Sequence, residues 1–307
     1  MNRRRFISQS VFTAGSLAVQ GSVFSQEKLT RLTILHTNDV HSRLGPFPMD
    51  GSANAGKGGV AARAKLIQQI RQKQENVLLL DAGDIFQGTP YFNIFKGEPE
   101  MRAMNMMGYD AAVMGNHDFD AGMDNFVEQL TAHGKFPILM CNYAFERTPM
   151  EGIYQPYKIF KKGNLKIGVT GVGIELSGLV PASLYGNTIY LDPINRANEV
   201  ANKLKNEKKC DLVICLSHLG DKYDENKVSD EVFAKQCENI DLIIGGHTHR
   251  FFDKPREYTN KNGKKTIVNQ VGWGGIQLGR LDFVFGGERG HFLDENQSIL
   301  VLENIVE

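Results

Sequence analysis

Metal-capable side chains recur at five places in this chain, each time directly after or at the end of a short apolar run. ILHTNDVH carries Asp39 and His41, LLLDAGD ends in Asp84, and AVMGNHD carries Asn116 and His117. VICLSHLG contributes His218, and LIIGGHTH contributes His247 and His249. Of the eight histidines, five stand at these strand-end positions, while His36, His133 and His291 do not. One histidine at a strand end is more often a hydrogen-bonded structural residue than a ligand. Five strand ends with the same arrangement favour a shared site, because groups just beyond the carboxyl ends of strands in an open α/β sheet meet in one crevice.

The residue types narrow the chemistry. Carboxylates, imidazoles and an amide oxygen together suit a borderline divalent ion such as Zn, Mn, Fe or Co rather than Ca²⁺ or a thiolate zinc site. The candidate ligands Asp39, His41, Asp84, Asn116, His218, His247 and His249 are too many for one four-coordinate ion. They suit two ions roughly 3.5–4 Å apart that share a carboxylate. Such a pair polarises phosphoryl oxygens, makes hydroxide available from bound water at neutral pH and clamps an in-line displacement. Hydrolysis at phosphorus is the chemistry that fits.

The elements that must position these groups alternate along the chain. Apolar β-type runs at 32–35, 77–80, 111–114, 136–140, 212–216 and 242–244 interleave with helical spacing at 60–74, 98–107, 122–133, 195–208 and 230–237. Residues 157–160 and 165–172 flank Lys-Lys-Gly-Asn as a hairpin, and 266–271, 277–285 and 299–303 close the chain with strands. The pattern predicts stacked mixed sheets flanked by helices, as one domain over 26–307. His36, inside the first strand, reads as a buried structural histidine. Gln87 and Gly88 read as turn-shaping residues behind Asp84. The Gly272-Trp273-Gly274-Gly275 loop could stack a base, although a glycine-built hairpin turn is the plainer account. The lysines of 203–209 read as a solvated helix face.

The chain has 307 residues, 41% hydrophobic and 23% charged, with a formal net charge of zero. That balance argues against a nucleic-acid polymer or an anionic membrane as the main partner and leaves small polar molecules. Residues 1–25 read as an export signal: Arg3-Arg4-Arg5-Phe6-Ile7, a mild apolar run, then Val23-Phe24-Ser25 before Gln26. The arginine cluster resembles the twin-arginine signal, with an ordinary Sec signal as the alternative. The expectation is bacterial export to the periplasm with no stable membrane anchor. Cys141, Cys210, Cys215 and Cys237 form no CxxC and read as small buried residues.

In this order, DxH, GDxxQG, GNHD, SHLG and GHTH resemble the calcineurin-like metallophosphoesterase superfamily. ILHTNDVHSRL, DAGDIFQGTP and MGNHDFDAG resemble more closely the catalytic domain of the 5′-nucleotidase/UDP-sugar hydrolase family, over about residues 32–285. The resemblance implies a four-layer αββα sandwich of two mixed β-sheets, the metallo-dependent phosphatase fold. It implies that Asp39, His41 and His249 hold one metal, that Asn116, His218 and His247 hold the other, and that Asp84 bridges them. His117 then faces the substrate phosphate beside Asn116, with Asp120 orienting its ring, and Asp118 shapes the loop.

The implied activity is 5′-nucleotidase-type removal of phosphate from nucleotides. The alternatives are a 2′,3′-cyclic-nucleotide phosphodiesterase, a UDP-sugar pyrophosphatase or, more remotely, a sulfur-oxidation hydrolase. From another class, a binding subunit without turnover is disfavoured by the complete ligand set. Family members carry a second domain that sandwiches the base and grips the phosphate. With Glu307 close behind the last expected strand, a separately encoded domain of that C-terminal type is the expected partner.

Overall fold

The structure, a computed structural model, describes residues 29–225, 227–286 and 290–302. The expected export signal, residues 1–25, lies outside them. Two mixed sheets form the frame. The first has five strands in the order His291–Leu300, Gln277–Phe285, Thr30–Thr37, Val77–Asp81 and Ala111–Ala112. The second has six: Arg256–Thr259, Lys265–Asn269, Leu242–Gly245, Leu212–His218, Leu165–Gly173 and Tyr157–Lys162. A small pair, Tyr143–Ala144 with Ile189–Tyr190, stands apart.

Sheet alternation and burial divide the core. In LVICLSH every residue is buried, as expected for a parallel strand covered on both faces. Leu212, Ile214 and Leu216 join Leu32, Ile34, Leu78 and Leu80 of the other sheet in one apolar cluster. Val213 and Cys215 point the other way, onto Ala197, Val200, Phe233 and Ala234 of helices Pro193–Asn202 and Asp230–Gln236. Helices Val60–Lys73 and Glu98–Met107 add Leu66, Ile67, Ile70, Met101 and Met104 to the first sheet's side. The result is the expected layering of helices, sheet, sheet and helices. Among the described residues no helix is long and apolar enough to cross a membrane. All four cysteines are free and buried.

Most expected elements are present, and three departures have local causes. The expected strand 136–140 is reduced to isolated bridges, Ala112 with Ile138 and Leu139 with Gln155. Pro137 has no N–H for a ladder, although its carbonyl still accepts from Ala112 N–H. The helix expected over 195–208 leaves α geometry at Asn202 and ends in a π turn, Lys203–Glu207. The final strand begins at His291, well before the expected 299, and residue 303 lies outside the described residues. It is an edge strand whose polar middle, Asp294 to Gln297, hides the alternation that marks a strand.

The N-terminus of helix Asp230–Gln236 sets up a pH effect. Asp230 is fully buried, one carboxylate oxygen accepts from the Ser217 hydroxyl, and the other has no hydrogen-bond partner among the described residues. Burial pushes its carboxyl well above the usual carboxylate range, against the pull of the Ser217 hydrogen bond and with help from Asp221. The folded state therefore keeps a proton that the unfolded chain loses above pH about 4, so stability falls as pH rises past that point. Asp230→Asn removes that dependence. Urea denaturation at pH 5 and pH 8 should show the variant gaining on wild type as pH rises. A variant that loses ground at pH 8 would mean the carboxylate is ionised in the fold.

Candidate active site

The parallel strands of the two sheets end on the same side of the molecule, and the loops that follow are sewn together by backbone bonds. After Thr30–Thr37, Asp39 N–H donates to Gly83 O (2.9 Å), His41 N–H to Asp84 O (3.0 Å) and Ser42 N–H to Ile85 O (2.9 Å). The Asp39 loop also meets the second sheet. Val271 N–H donates to Asn38 Oδ1 (3.0 Å), Asn38 Nδ2 to Gly272 O (2.6 Å) and Gly274 N–H to Asp39 O (2.7 Å).

Backbone conformation is unusual at five of the same positions. Asp39, His41, Asp84, His247 and His249 all have positive φ, between 51° and 72°. Such values are uncommon for residues with a Cβ, and they persist only where the surroundings over-determine them. The surroundings do so here. Asp39 accepts the His247 N–H at 2.9 and 3.0 Å, and also Asn38 Nδ2 at 2.7 Å. Asp118 accepts from four backbone N–H groups, those of Asp84, Ile85, Phe86 and Gly115. Burial and the neighbouring Asp84 push the Asp118 carboxyl up, while these donors and His218 pull it down. Asp118 thus fastens the Asp84 turn to the Asn116 turn, as the sequence led us to expect of a loop-shaping residue.

Two glycines are needed for close approach. A Cβ on Gly115 would lie 2.2 Å from Asp84 Oδ1 and 2.6 Å from His218 Cε1. On Gly246 it would lie 2.8 Å from Ala82 O and 2.9 Å from His218 Nδ1.

Six of the seven candidate ligands form two groups whose ligand atoms lie within 4.8 Å of one another: Asp39, His41, Asp84 and His249, and Asp84, His218 and His247. Asp84 belongs to both. Its Oδ2 lies 3.1 Å from His218 Nε2 and 3.7 Å from His41 Nε2. The seventh candidate, Asn116, has Oδ1 2.8 Å from His247 Nδ1.

The ring tautomers suit metal binding. His218 Nδ1–H donates to Ala82 O (2.7 Å) and His41 Nδ1–H to Phe86 O (3.3 Å), which turns each Nε2 into the site, where a cation or a proton can take it. The Nε2 atoms of His41 and His249 lie 2.9 Å apart, and His218 Nε2 is buried without an aligned hydrogen-bond partner. Ring nitrogens gathered around the buried carboxylates of Asp39 and Asp84 make a place for positive charge. Burial lowers the His218 ring, yet Asp84 and then Asp39 raise it to about 10. His247 falls to about 4, through burial and then His218. The arrangement is a donor set for divalent metal ions.

His117 belongs to neither group. It opens a 3₁₀ turn, His117–Phe119, in which residues three apart fall on one side. Its Nδ1 is 2.8 Å from Asp120 Oδ2, and that hydrogen bond raises the ring's proton affinity against partial burial. Its N–H donates to Asp84 Oδ1 (2.8 Å), and its ring packs edge-on to His41 with centroids 5.3 Å apart. A pocket of about 310 Å³ opens here, walled by His41, Arg43, Gln87, His117, His249 and Trp273 among others. A larger groove, about 710 Å³, runs along residues 251–257 and contains no candidate ligand.

Three of those wall residues were not expected as site residues. Gln87 does shape the turn, with φ 69°, but it also faces the pocket. Trp273 neither stands free for a base nor merely turns a hairpin: its ring stacks on His249 at 5.8 Å and 16°. Arg43 follows His41 by two residues, and its residue type alone does not mark it as part of a site. Sequence offered one signal for it, its place in the HSR run that ends the first cluster. His36 is the expected structural histidine, fully buried, 2.9 Å from Asn269 Nδ2 and lowered by burial to about 3. The lysines at 203, 208 and 209 are exposed, as expected, while Lys205 is half-buried against Asp241.

Comparison with known proteins agrees with this geometry. A calcineurin-like phosphoesterase family model matches residues 32–251. A human 5′-nucleotidase is 34% identical over 295 residues, covering 90% of this chain and 50% of that protein. A crystal structure of a 5′-nucleotidase precursor from Thermus thermophilus superposes with a TM-score of 0.77 at 29% identity, covering 89% of this chain and 55% of that one. The Haemophilus influenzae NAD nucleotidase gives the same TM-score at 27% identity, over 90% of this chain and 51% of that one. The chain spans about half the length of the curated relatives it matches.

Proposed function

The chain belongs to the calcineurin-like phosphoesterase family, and from that premise we propose that it removes phosphate from nucleotides as a two-metal phosphomonoesterase. The observation that carries the proposal is the shared position of Asp84, which falls in both ligand groups while each group keeps its own histidines. Asp39, His41 and His249 would hold one divalent ion, Asn116, His218 and His247 the other, with Asp84 common to both. Zn, Mn, Fe and Co all suit such donors. When bound, the ions supply Lewis acidity to the phosphoryl oxygens and a nucleophile at neutral pH.

The protein's own groups do the rest. His117 lines the pocket where a phosphoryl group would sit, and Asn116 is the residue before it in the chain. Asp120 fixes the His117 ring through Nδ1, which leaves Nε2 to carry a proton against charge developing on the phosphoryl or leaving oxygen. Asp118 and the strained loops hold these atoms in place before substrate arrives, so that little reorganisation is needed during the reaction.

The nucleotide preference is supported by the 5′-nucleotidase relatives. Assaying AMP, a 2′,3′-cyclic nucleotide and UDP-glucose side by side on metal-loaded protein tests it. AMP is expected to be turned over with the highest kcat/KM, by at least about tenfold. Preference for the cyclic nucleotide or the nucleotide sugar would transfer the assignment to a phosphodiesterase or pyrophosphatase. We further propose that residues 26–307 act as a single catalytic domain and that base recognition draws on a domain of the C-terminal 5′-nucleotidase type. We also propose that residues 1–25 direct export to the periplasm by the twin-arginine route. Fusing residues 1–25 to a reporter and changing Arg3 and Arg4 to Lys tests the route, and undiminished export would refute it.

A further inference from the structure

Arg43 is the one arginine among the described residues that lines the pocket beside His117. Arg31, Arg102, Arg196, Arg256 and Arg280 each pair with a carboxylate, and Arg71 donates to the carbonyls of Met107 and Gly108. Arg43 has no such partner among the described residues, and its Nε is buried and unbonded. Yet its guanidinium is held. Cζ lies 4.2 Å over the ring of the buried Phe47, a cation–π contact that fixes the plane of the fork without using its N–H donors. Phe47 in turn packs edge-on against Trp273 at 5.3 Å, and Trp273 stacks on His249. Arg43, Phe47, Trp273 and His249 therefore form a continuous chain of ring contacts that ends at a candidate metal ligand, and Arg43 shares the pocket wall with His117.

A preorganised guanidinium with free donors beside cation-binding groups has one obvious use, which is to receive an anion. Its planar fork matches the oxygens of a phosphate, and a permanent charge in a partly enclosed pocket discriminates by ligand charge. We propose that Arg43 is a substrate-binding residue that donates to a non-bridging oxygen of the phosphoryl group, and so favours dianionic monoesters over monoanionic diesters. This rests on the phosphoester-hydrolase reading above. Phe47 acts through Arg43 as a positioning residue.

The test uses inorganic phosphate as the probe, titrated calorimetrically into metal-loaded wild type, Arg43→Ala and Arg43→Lys, with metal content measured on each. The expected result for Arg43→Ala is a Kd for phosphate raised at least about tenfold, or about 1.4 kcal/mol, at unchanged metal content. Arg43→Lys should recover part of the loss, because it restores the charge without the fork. Kinetics on the same proteins should show KM for p-nitrophenyl phosphate rising more than KM for bis(p-nitrophenyl) phosphate. Phe47→Leu should give a smaller effect of the same kind. Phosphate affinity and KM equal to wild type in Arg43→Ala would overturn the inference and leave the phosphoesterase reading standing. Metal loss in Arg43→Ala would also overturn it, by making Arg43 a support of the metal loops. No phosphate binding and no turnover in wild type would sink the phosphoesterase reading and this inference with it.

Discussion

Replacing His117 with Ala is expected to lower kcat/KM for a nucleotide monoester by on the order of 10³-fold, about 4 kcal/mol of transition-state stabilisation, while bound metal stays at the wild-type level. The two halves of this prediction come from different observations. Metal retention follows because His117 lies outside both ligand groups, and because its tie to Asp84 uses the backbone N–H, which Ala keeps. The rate loss follows from the side chain. Nδ1 is committed to Asp120 at 2.8 Å, so Nε2 is the nitrogen left for substrate, on a ring in the pocket wall. Asp120→Asn keeps the shape but weakens the orientation of the ring, and should cost less, on the order of tenfold. Steady-state kinetics together with elemental analysis read both effects. A variant that loses metal would place His117 among the ligands, and one that turns over normally would remove it from the chemistry.

Much of the site was legible because its chemistry restricts residue type. Few side chains bind borderline divalent ions, and five clusters of them at strand ends leave little choice of where they converge. The fold was legible for a related reason. Parallel strands buried on both faces, such as 212–218, read as continuous apolar runs, and His218 is the last residue of that strand. What stayed hidden depends on tertiary contact rather than on composition. Arg43 and Trp273 lie 230 positions apart in sequence and meet only through Phe47. The four-donor hold of Asp118 is invisible in a loop that could have used Asp simply to turn. The edge strand 291–300 was hidden by its polar middle, and Pro137, in an otherwise apolar run, keeps 136–140 to isolated bridges.

The positive φ values explain why the ligand residues need so much support. Left-handed backbone costs a residue with a Cβ on the order of 1–2 kcal/mol, and five candidate ligands adopt it. The cost is met by contacts between loops: Asp39 receiving His247 N–H, Asp118 receiving the Asp84 and Gly115 turns, and the backbone bonds from Asp39, His41 and Ser42 to residues 83–85. The loops can therefore hold their shape only together, and coupling between them should appear in how metal is lost.

Asp84 is where that coupling is strongest. Asp84→Asn is expected to remove metal from both positions at once, whereas His249→Ala, which touches only one group, should leave the other position loaded. The two Asp84 oxygens already have separate tasks: Oδ1 accepts the His117 N–H, and Oδ2 lies toward His218 and His41. An amide keeps the shape of the side chain but loses the charge that raises His218, a charge which, against burial, the His218, His41 and His117 rings stabilise so that the carboxyl stays below the usual carboxylate range. Without it, the second group keeps two neutral imidazoles and an amide oxygen, a weak set for a divalent ion. Activity should fall with the metal, to a few per cent of wild type or less. Thermal stabilisation by added metal, which follows affinity for the folded state, should be largely lost in Asp84→Asn and only part lost in His249→Ala. Elemental analysis and melting curves with and without added Mn²⁺ read both outcomes. Asp84→Asn protein that still holds one full equivalent of metal would show that the two groups bind independently, and the shared-carboxylate arrangement would be wrong.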